Sequence, residues 1–270
     1  MSGNMSGNTH NASTPSQPAG VAVTPGSRLY ETERAVAEYL EFHYGPTALG
    51  VANFPAAAIA EVAGRLRGTD RGLDVGCAVG RASFELARLV GRVDAIDFSA
   101  SFIDACRRVQ SEPVVDYEVV IEGSLTEPRR IDLASLGLAE VRQRVHFAEG
   151  DACRLDPSLS GYDVVFAGNL IDRLYDPAAF LEGLGGRLQP GGLLVITSPY
   201  TWLADYTPPD RWLGGRVVDG RPRRTLEGIG LCLGDRFDLE ARCDLPFVIR
   251  ETARKHQHTF AEVSCWRKAD

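Results

Sequence analysis

Along residues 71–198, short apolar runs alternate with stretches whose apolar positions recur every three or four residues. The first run ends at Asp74, passes through Gly76 and Gly80, and opens the helical pattern Ala82–Val90, with Phe84, Leu86, Ala87 and Val90 on one face. Arg92–Asp97 reads as a second strand, followed by Ser99 as N-cap of a helix over Ala100–Arg108. Val145–Ala148 gives a third strand. Gly161–Asn169, almost unbroken in apolar residues, gives a buried parallel one. A helix over Ala178–Leu188, a turn at Gln189–Gly192 and a buried strand at Leu193–Ser198 complete the alternation. Strand and helix in turn predict a doubly wound α/β sheet with right-handed crossovers.

The flanks add other elements. Val36, Tyr39, Leu40 and His43 share one face of a helix over Glu31–His43, which Tyr44–Pro46 ends; a second helix runs Ala56–Arg67. Residues 28–68 thus form a helical lid before the sheet. Residues 112–138 exceed an ordinary connection, and weak alternation over Val114–Ile121 suggests an added hairpin or flap. After a loop rich in aromatics and proline come a helix over Thr225–Leu233 and two strand-like runs, Phe237–Arg250 and His258–Trp266, which predict a closing antiparallel hairpin. The expected fold is a Rossmann-like, doubly wound, seven-stranded sheet, mostly parallel with a C-terminal antiparallel hairpin. Residues 28–270 form the domain. Residues 1–27, rich in Ser, Asn, Thr, Gly and Pro, are expected to be a disordered tail.

At 270 residues the chain accommodates one α/β domain. A net charge of -7 argues against a general nucleic-acid binder, and the basic runs Arg129-Arg130 and Arg221–Arg224 read as solvated surface. Six cysteines without a Cys-x-x-Cys pair fit neither a zinc site nor a secreted disulfide framework, so no metal is expected. No run spans a bilayer and no signal-peptide pattern opens the chain, so the expected compartment is the cytoplasm, without membrane attachment.

A glycine turn between strand and helix lets backbone approach a ligand and offers free N–H groups. A plain strand-to-helix connection would look similar. Asp74 changes the reading, because a carboxylate there repels a pyrophosphate and suits a ligand carrying an amino group, such as S-adenosylmethionine. A nicotinamide-dependent oxidoreductase should instead show G-x-G-x-x-G without that acid. Asp97 is placed for ribose hydroxyls, and Asp151, with the backbone beside Ala152, for an adenine amino group; each is otherwise an ordinary loop carboxylate.

By Asp74-x-Gly76-x-Ala78-x-Gly80, Asp97 and Asp151 the chain resembles class I S-adenosylmethionine-dependent methyltransferases, with Ala78 where that family usually has glycine. This implies cofactor contacts from Asp74, Gly76, Cys77, Ala78, Gly80 and Arg81 at the turn. Asp97, Phe98 and Ser99 are implied at the second strand end, Asp151, Ala152 and Cys153 at the third, and Asn169 and Leu170 at the fourth. Longer blocks resemble the C-terminal methyltransferase domain of ovothiol-biosynthesis enzymes: Tyr39–Gly45, Leu73–Arg81, Gly168–Tyr175, Ser198–Trp202 and Pro246–Thr252. That family methylates an imidazole nitrogen of 5-thiohistidine. A short polar tail stands where the bifunctional enzymes carry an iron-dependent sulfoxide synthase, which implies a methyltransferase acting after a separate sulfoxide synthase and lyase.

Such a reaction needs alignment of nitrogen, methyl and sulfur more than a strong base. A group accepting the other ring N–H would fix the tautomer; the candidates are Asp172, the first choice, then His43 and Glu251. His43 also reads as a hydrogen-bonded structural residue. Arg173 or Arg250 can grip the substrate carboxylate. Tyr39, Tyr44, Tyr200, Trp202 and Asn169 are further substrate candidates, though tyrosines and tryptophans of this kind are equally often packing residues. A methyltransferase for another small nucleophile, or a non-catalytic cofactor-binding protein, remains an alternative.

Overall fold

The computed structural model describes residues 29–270; the expected disordered tail lies outside the described residues. Seven strands form the main sheet: β1 (Arg71–Val75), β2 (Arg92–Asp97), β5 (Val145–Glu149), β6 (Tyr162–Gly168), β7 (Leu188–Ser198), β10 (Phe237–Arg250) and β11 (His256–Lys268). Their order is β10-β11-β7-β6-β1-β2-β5. β7, β6, β1, β2 and β5 run parallel, and β11 is antiparallel to both β7 and β10. The mostly parallel sheet with its C-terminal antiparallel pair is the expected architecture. No helix among the described residues is long and apolar enough to cross a membrane.

The central strands are apolar because both faces are covered. Successive side chains point to opposite faces, so Val164, Phe166, Leu193 and Val195 join one core, and Val165, Ala167, Leu194 and Ile196 the other. The first core is covered by α1 (Glu33–Tyr44), α2 (Phe54–Ala63), α3 (Arg81–Leu86) and α4 (Ala100–Ser111). The second is covered by α5 (Pro177–Gly183) and α6 (Thr225–Leu233). Caps fix the helix starts. Thr32 accepts from the Ala35 amide, Asn53 from Ala56, and Ser99 from Phe102.

Three expectations need correction. The helix expected over Ala178–Leu188 stops at Gly183, where Gly185 and Gly186 give no helical support, and β7 already begins at Leu188. The expected turn at Gln189–Gly192 therefore lies inside β7, at a register irregularity against β6. The helix expected to reach Arg67 stops at Ala63, before Gly64. Within 112–138, β3 (Val114–Glu122) and β4 (Leu125–Asp132) pair antiparallel. Val115, Tyr117 and Val119 pack inward, and the Tyr117 hydroxyl donates to Glu41 of α1 at 2.7 Å.

Candidate active site

The parallel order reverses at β1, between β2 and β6, and open α/β sheets bind ligands at the carboxyl ends of strands beside such a reversal. A cavity of about 550 Å³ lies there. Asp74, Gly76, Cys77, Ala78, Asp97, Phe98, Ser99, Asp151, Ala152, Asn169 and Leu170, all predicted cofactor residues, line it.

Backbone geometry explains the turn. Gly76 and Gly80 have φ of 75° and 87°, and a Cβ on Gly76 would stand 2.8 Å from Leu170 Cδ1. Ala78 holds φ 47° without being glycine, and Asn169 holds 49°; such backbone strain persists only where the surroundings enforce it. At Ala78 the enforcing group is Asp97. Its Oδ2 accepts from the Ala78 amide at 2.8 Å and its Oδ1 from the Ser99 amide at 2.9 Å. Asp97 therefore shapes the turn, and each oxygen keeps a lone pair for a ligand hydroxyl. Burial raises its carboxyl to about 6, against the lowering by these amides.

Asp74 is fully buried. Its Oδ2 accepts from Ser83 Oγ at 2.6 Å, while Oδ1 has no partner. Burial raises its carboxyl to about 7; the Ser83 bond lowers it and the Asp97 charge adds to the rise. A buried, orphaned acceptor is costly unless something completes it. Asp151 is held by the Cys153 amide at 2.9 Å and the Tyr175 hydroxyl at 2.8 Å. Asn169 Oδ1 accepts from Thr197 Oγ1 at 3.0 Å. A cation-bearing adenosyl ligand fits this set, with an unsatisfied carboxylate oxygen, a turn no side chain fills, and carboxylates beyond it.

Three predicted cofactor residues do not line the cavity: Gly80, Arg81 and Cys153. Gly80 starts α3, and a Cβ there would meet Phe147 at 2.9 Å. Arg81 is buried against Glu85 at 2.8 Å and over the Tyr44 ring. The Cys153 thiol lies against the Asp176 carbonyl.

The predicted base Asp172 is corrected. It is wholly buried and outside the cavity. Oδ1 accepts from Ser198 Oγ at 3.0 Å, and Oδ2 from Arg173 Nη1 at 2.9 Å and the Thr201 amide at 3.0 Å. It anchors the loop after β7. Glu251 lines the mouth, but its ion pair with Lys255 and a bond from Gln257 hold its carboxyl below the ordinary value, so it is a poor base. His43 differs from both. It lines the cavity, is buried, and has an unpartnered Nδ1. Burial, helped by the Arg81 charge, lowers its imidazolium to about 3, so the ring is neutral near pH 7.

Among the substrate candidates, Tyr39 and Arg173 line the cavity. Arg173 uses Nη1 on Asp172 and the Thr201 carbonyl, and its guanidinium lies 5.0 Å over the Tyr206 ring. Four candidates do not line it. Tyr44 is buried, its hydroxyl donating to the Val79 carbonyl. Arg250 pairs with Glu127 across to β4. Tyr200 and Trp202 line a separate groove, with bonds to Glu262 and Thr225. Sequence reasoning missed Tyr30, Phe42, Phe54, Tyr206, Phe247 and Gln257, which complete the wall. Tyr206 lay in the aromatic loop singled out; the others carried no local signal.

The chain matches the family model described as a methyltransferase domain over residues 49–231. Among solved structures it is similar to an S-adenosylmethionine-dependent methyltransferase from Clostridium acetobutylicum, at 14% identity and TM-score 0.50, covering 82% of this chain and 94% of that one. It is likewise similar to the YcgJ protein of Bacillus subtilis, at 10% identity and TM-score 0.50, covering 81% and 100%. A third likeness, at 18% identity and TM-score 0.51 over 79% and 82%, is to a protein described with the conversion of a disulfide bond into a thioacetal group during echinomycin biosynthesis. At these identities the likenesses concern the fold. The comparison with curated proteins gives no match.

Proposed function

We propose an acceptor for a chain that belongs to the methyltransferase-domain family and takes S-adenosylmethionine as its cofactor: an imidazole nitrogen of 5-thiohistidine. The sequence blocks resembling ovothiol-biosynthesis methyltransferases support the acceptor. The observation that carries a catalytic role for this cavity is His43, a buried neutral imidazole that lines it.

When bound, S-adenosylmethionine supplies an electrophilic methyl group on sulfur. Asp74, Gly76, Ala78, Asp97, Asp151 and Asn169 would hold it. The chain's remaining work is orientation. His43 accepts a hydrogen bond from the acceptor ring's non-reacting N–H, which fixes the tautomer and sharpens the other nitrogen as nucleophile. Arg173 keeps Nε and Nη2 without a hydrogen-bonding partner in the described structure, suiting the acceptor's carboxylate. Tyr39, Phe42 and Tyr206 exclude water around the ring. A strong base is unnecessary, because free imidazole is largely unprotonated near neutral pH.

The experiment is incubation with S-adenosylmethionine and 5-thiohistidine, with mass and NMR analysis of the product. Ring N-methylation is expected. No ring methylation, with turnover of another small nucleophile, overturns the acceptor and leaves the methyltransferase.

A further inference from the structure

A second groove, apart from the cofactor cavity, is lined by Arg216, Arg223, Arg224 and Arg242, with Trp202 and Trp266 in its walls. It is built largely by a hairpin the sequence reading passed over, β8 (Arg216–Val218) and β9 (Arg221–Arg223), turning at Asp219 and Gly220, both at positive φ. That hairpin sets Arg216 directly opposite Arg223. Like charges facing each other across a ladder are destabilising unless an anion lies between them. Arg224 arrives from the N-cap of α6 and Arg242 from β10.

None of the four has a carboxylate partner among the described residues. Arg216 Nη1 donates to the Asp210 carbonyl at 2.7 Å, and its Nε is buried without a partner. Two carboxylates also line the groove, Glu227 and Glu262; Glu262 accepts from the Tyr200 hydroxyl. In a chain of net charge -7, four guanidiniums meeting two carboxylates reverse the local sign. The first turn of α6, which has no side-chain cap, borders the same space and adds free N–H groups. From the basic run Arg221–Arg224, expected to be solvated surface, Arg223 and Arg224 thus line a groove.

We propose that this groove binds a phosphate-class anion. Guanidinium forks match phosphate oxygens, and the donors assembled here exceed what the two oxygens of a carboxylate can accept. The anion can be free, or a phosphate ester whose organic part lies along Trp202 and Tyr200. The proposal is independent of the acceptor named above.

All three tryptophans, Trp202, Trp212 and Trp266, lie in or against the groove, Trp212 stacking on Trp202. Intrinsic fluorescence therefore reports occupancy of the full-length protein directly. Pyrophosphate and AMP should each give saturable changes, matched by calorimetry and weakening with salt. Tighter binding of AMP that saturating S-adenosylhomocysteine does not displace assigns an ester; tighter binding of pyrophosphate assigns the free anion. Arg223→Gln should weaken binding about tenfold or more, since one charged hydrogen bond is lost. Arg242→Gln, at an exposed position, does the same without touching the hairpin, and Arg108→Gln on α4 leaves binding unchanged. Neither ligand binding at millimolar concentration, or wild-type affinity retained by both the Arg223 and Arg242 variants, overturns the proposal. Cofactor affinity, measured alongside, stays intact in either case.

Discussion

Asp74→Asn separates the cost of a buried carboxylate from its use. Burial raises the Asp74 carboxyl from 3.8 to about 7, equivalent to about 4 kcal/mol against the ionised form. The folded protein thus holds this proton where the unfolded chain has lost it. Asp74's contribution to stability is full below pH 3.8 and is lost as pH rises through about 7. Asparagine fills the same volume, can still accept from Ser83, and carries no charge. In urea denaturation, Asp74→Asn should match wild type near pH 4 and exceed it above pH 7, by at most that about 4 kcal/mol. Cofactor binding should move oppositely. Wild-type affinity for S-adenosylmethionine, measured by calorimetry, should rise with pH up to about 7, as the ionised carboxylate meets a cation; the variant should bind weakly and without that rise. Asp97 titrates in the same region, so the test is the difference between the two proteins. Identical pH slopes in both would refute the reasoning.

His43→Gln should lower kcat by about 10²–10⁴-fold with little change in cofactor affinity. Because the His43 value is lowered to about 3, its contribution to stability is present above pH 6.5 and lost as pH falls toward 3, and acid unfolding of the variant should begin at lower pH. Asp172→Asn turns one of two acceptor oxygens into a donor that faces a donor, so denaturation should show a loss of about 1–3 kcal/mol with S-adenosylmethionine affinity intact; a large fall in kcat with full stability would restore it as a base. Gly76→Ala forces a Cβ against Leu170 at positive φ, costing about 1–3 kcal/mol, read as a lower Tm and weaker cofactor binding.

The strand-turn-helix at Asp74–Arg81 was legible because its meaning is local: an apolar strand, glycines and an acid within eight residues. The strand ends at Asp97, Asp151 and Asn169 followed from the same alternation. Asp172 was misread because its partners, Ser198 and Thr201, sit 26 and 29 residues away, and no periodicity announces their convergence. Tyr30 and Tyr206, whose hydroxyls meet at 3.4 Å across 176 residues, are the extreme case. Arg81, by contrast, had its i,i+4 partner Glu85 in plain view. Asp219-Gly220, a strong hairpin signal, was lost among the prolines and aromatics around it.

The most direct test is a crystal structure with S-adenosylhomocysteine bound at saturation. The account places the adenosyl group in the cavity between Gly76 and Asn169, with Asp97 on the ribose and Asp74 no longer orphaned. Adenosyl density elsewhere, or a full cavity in which none of these carboxylates approaches the ligand, would contradict it.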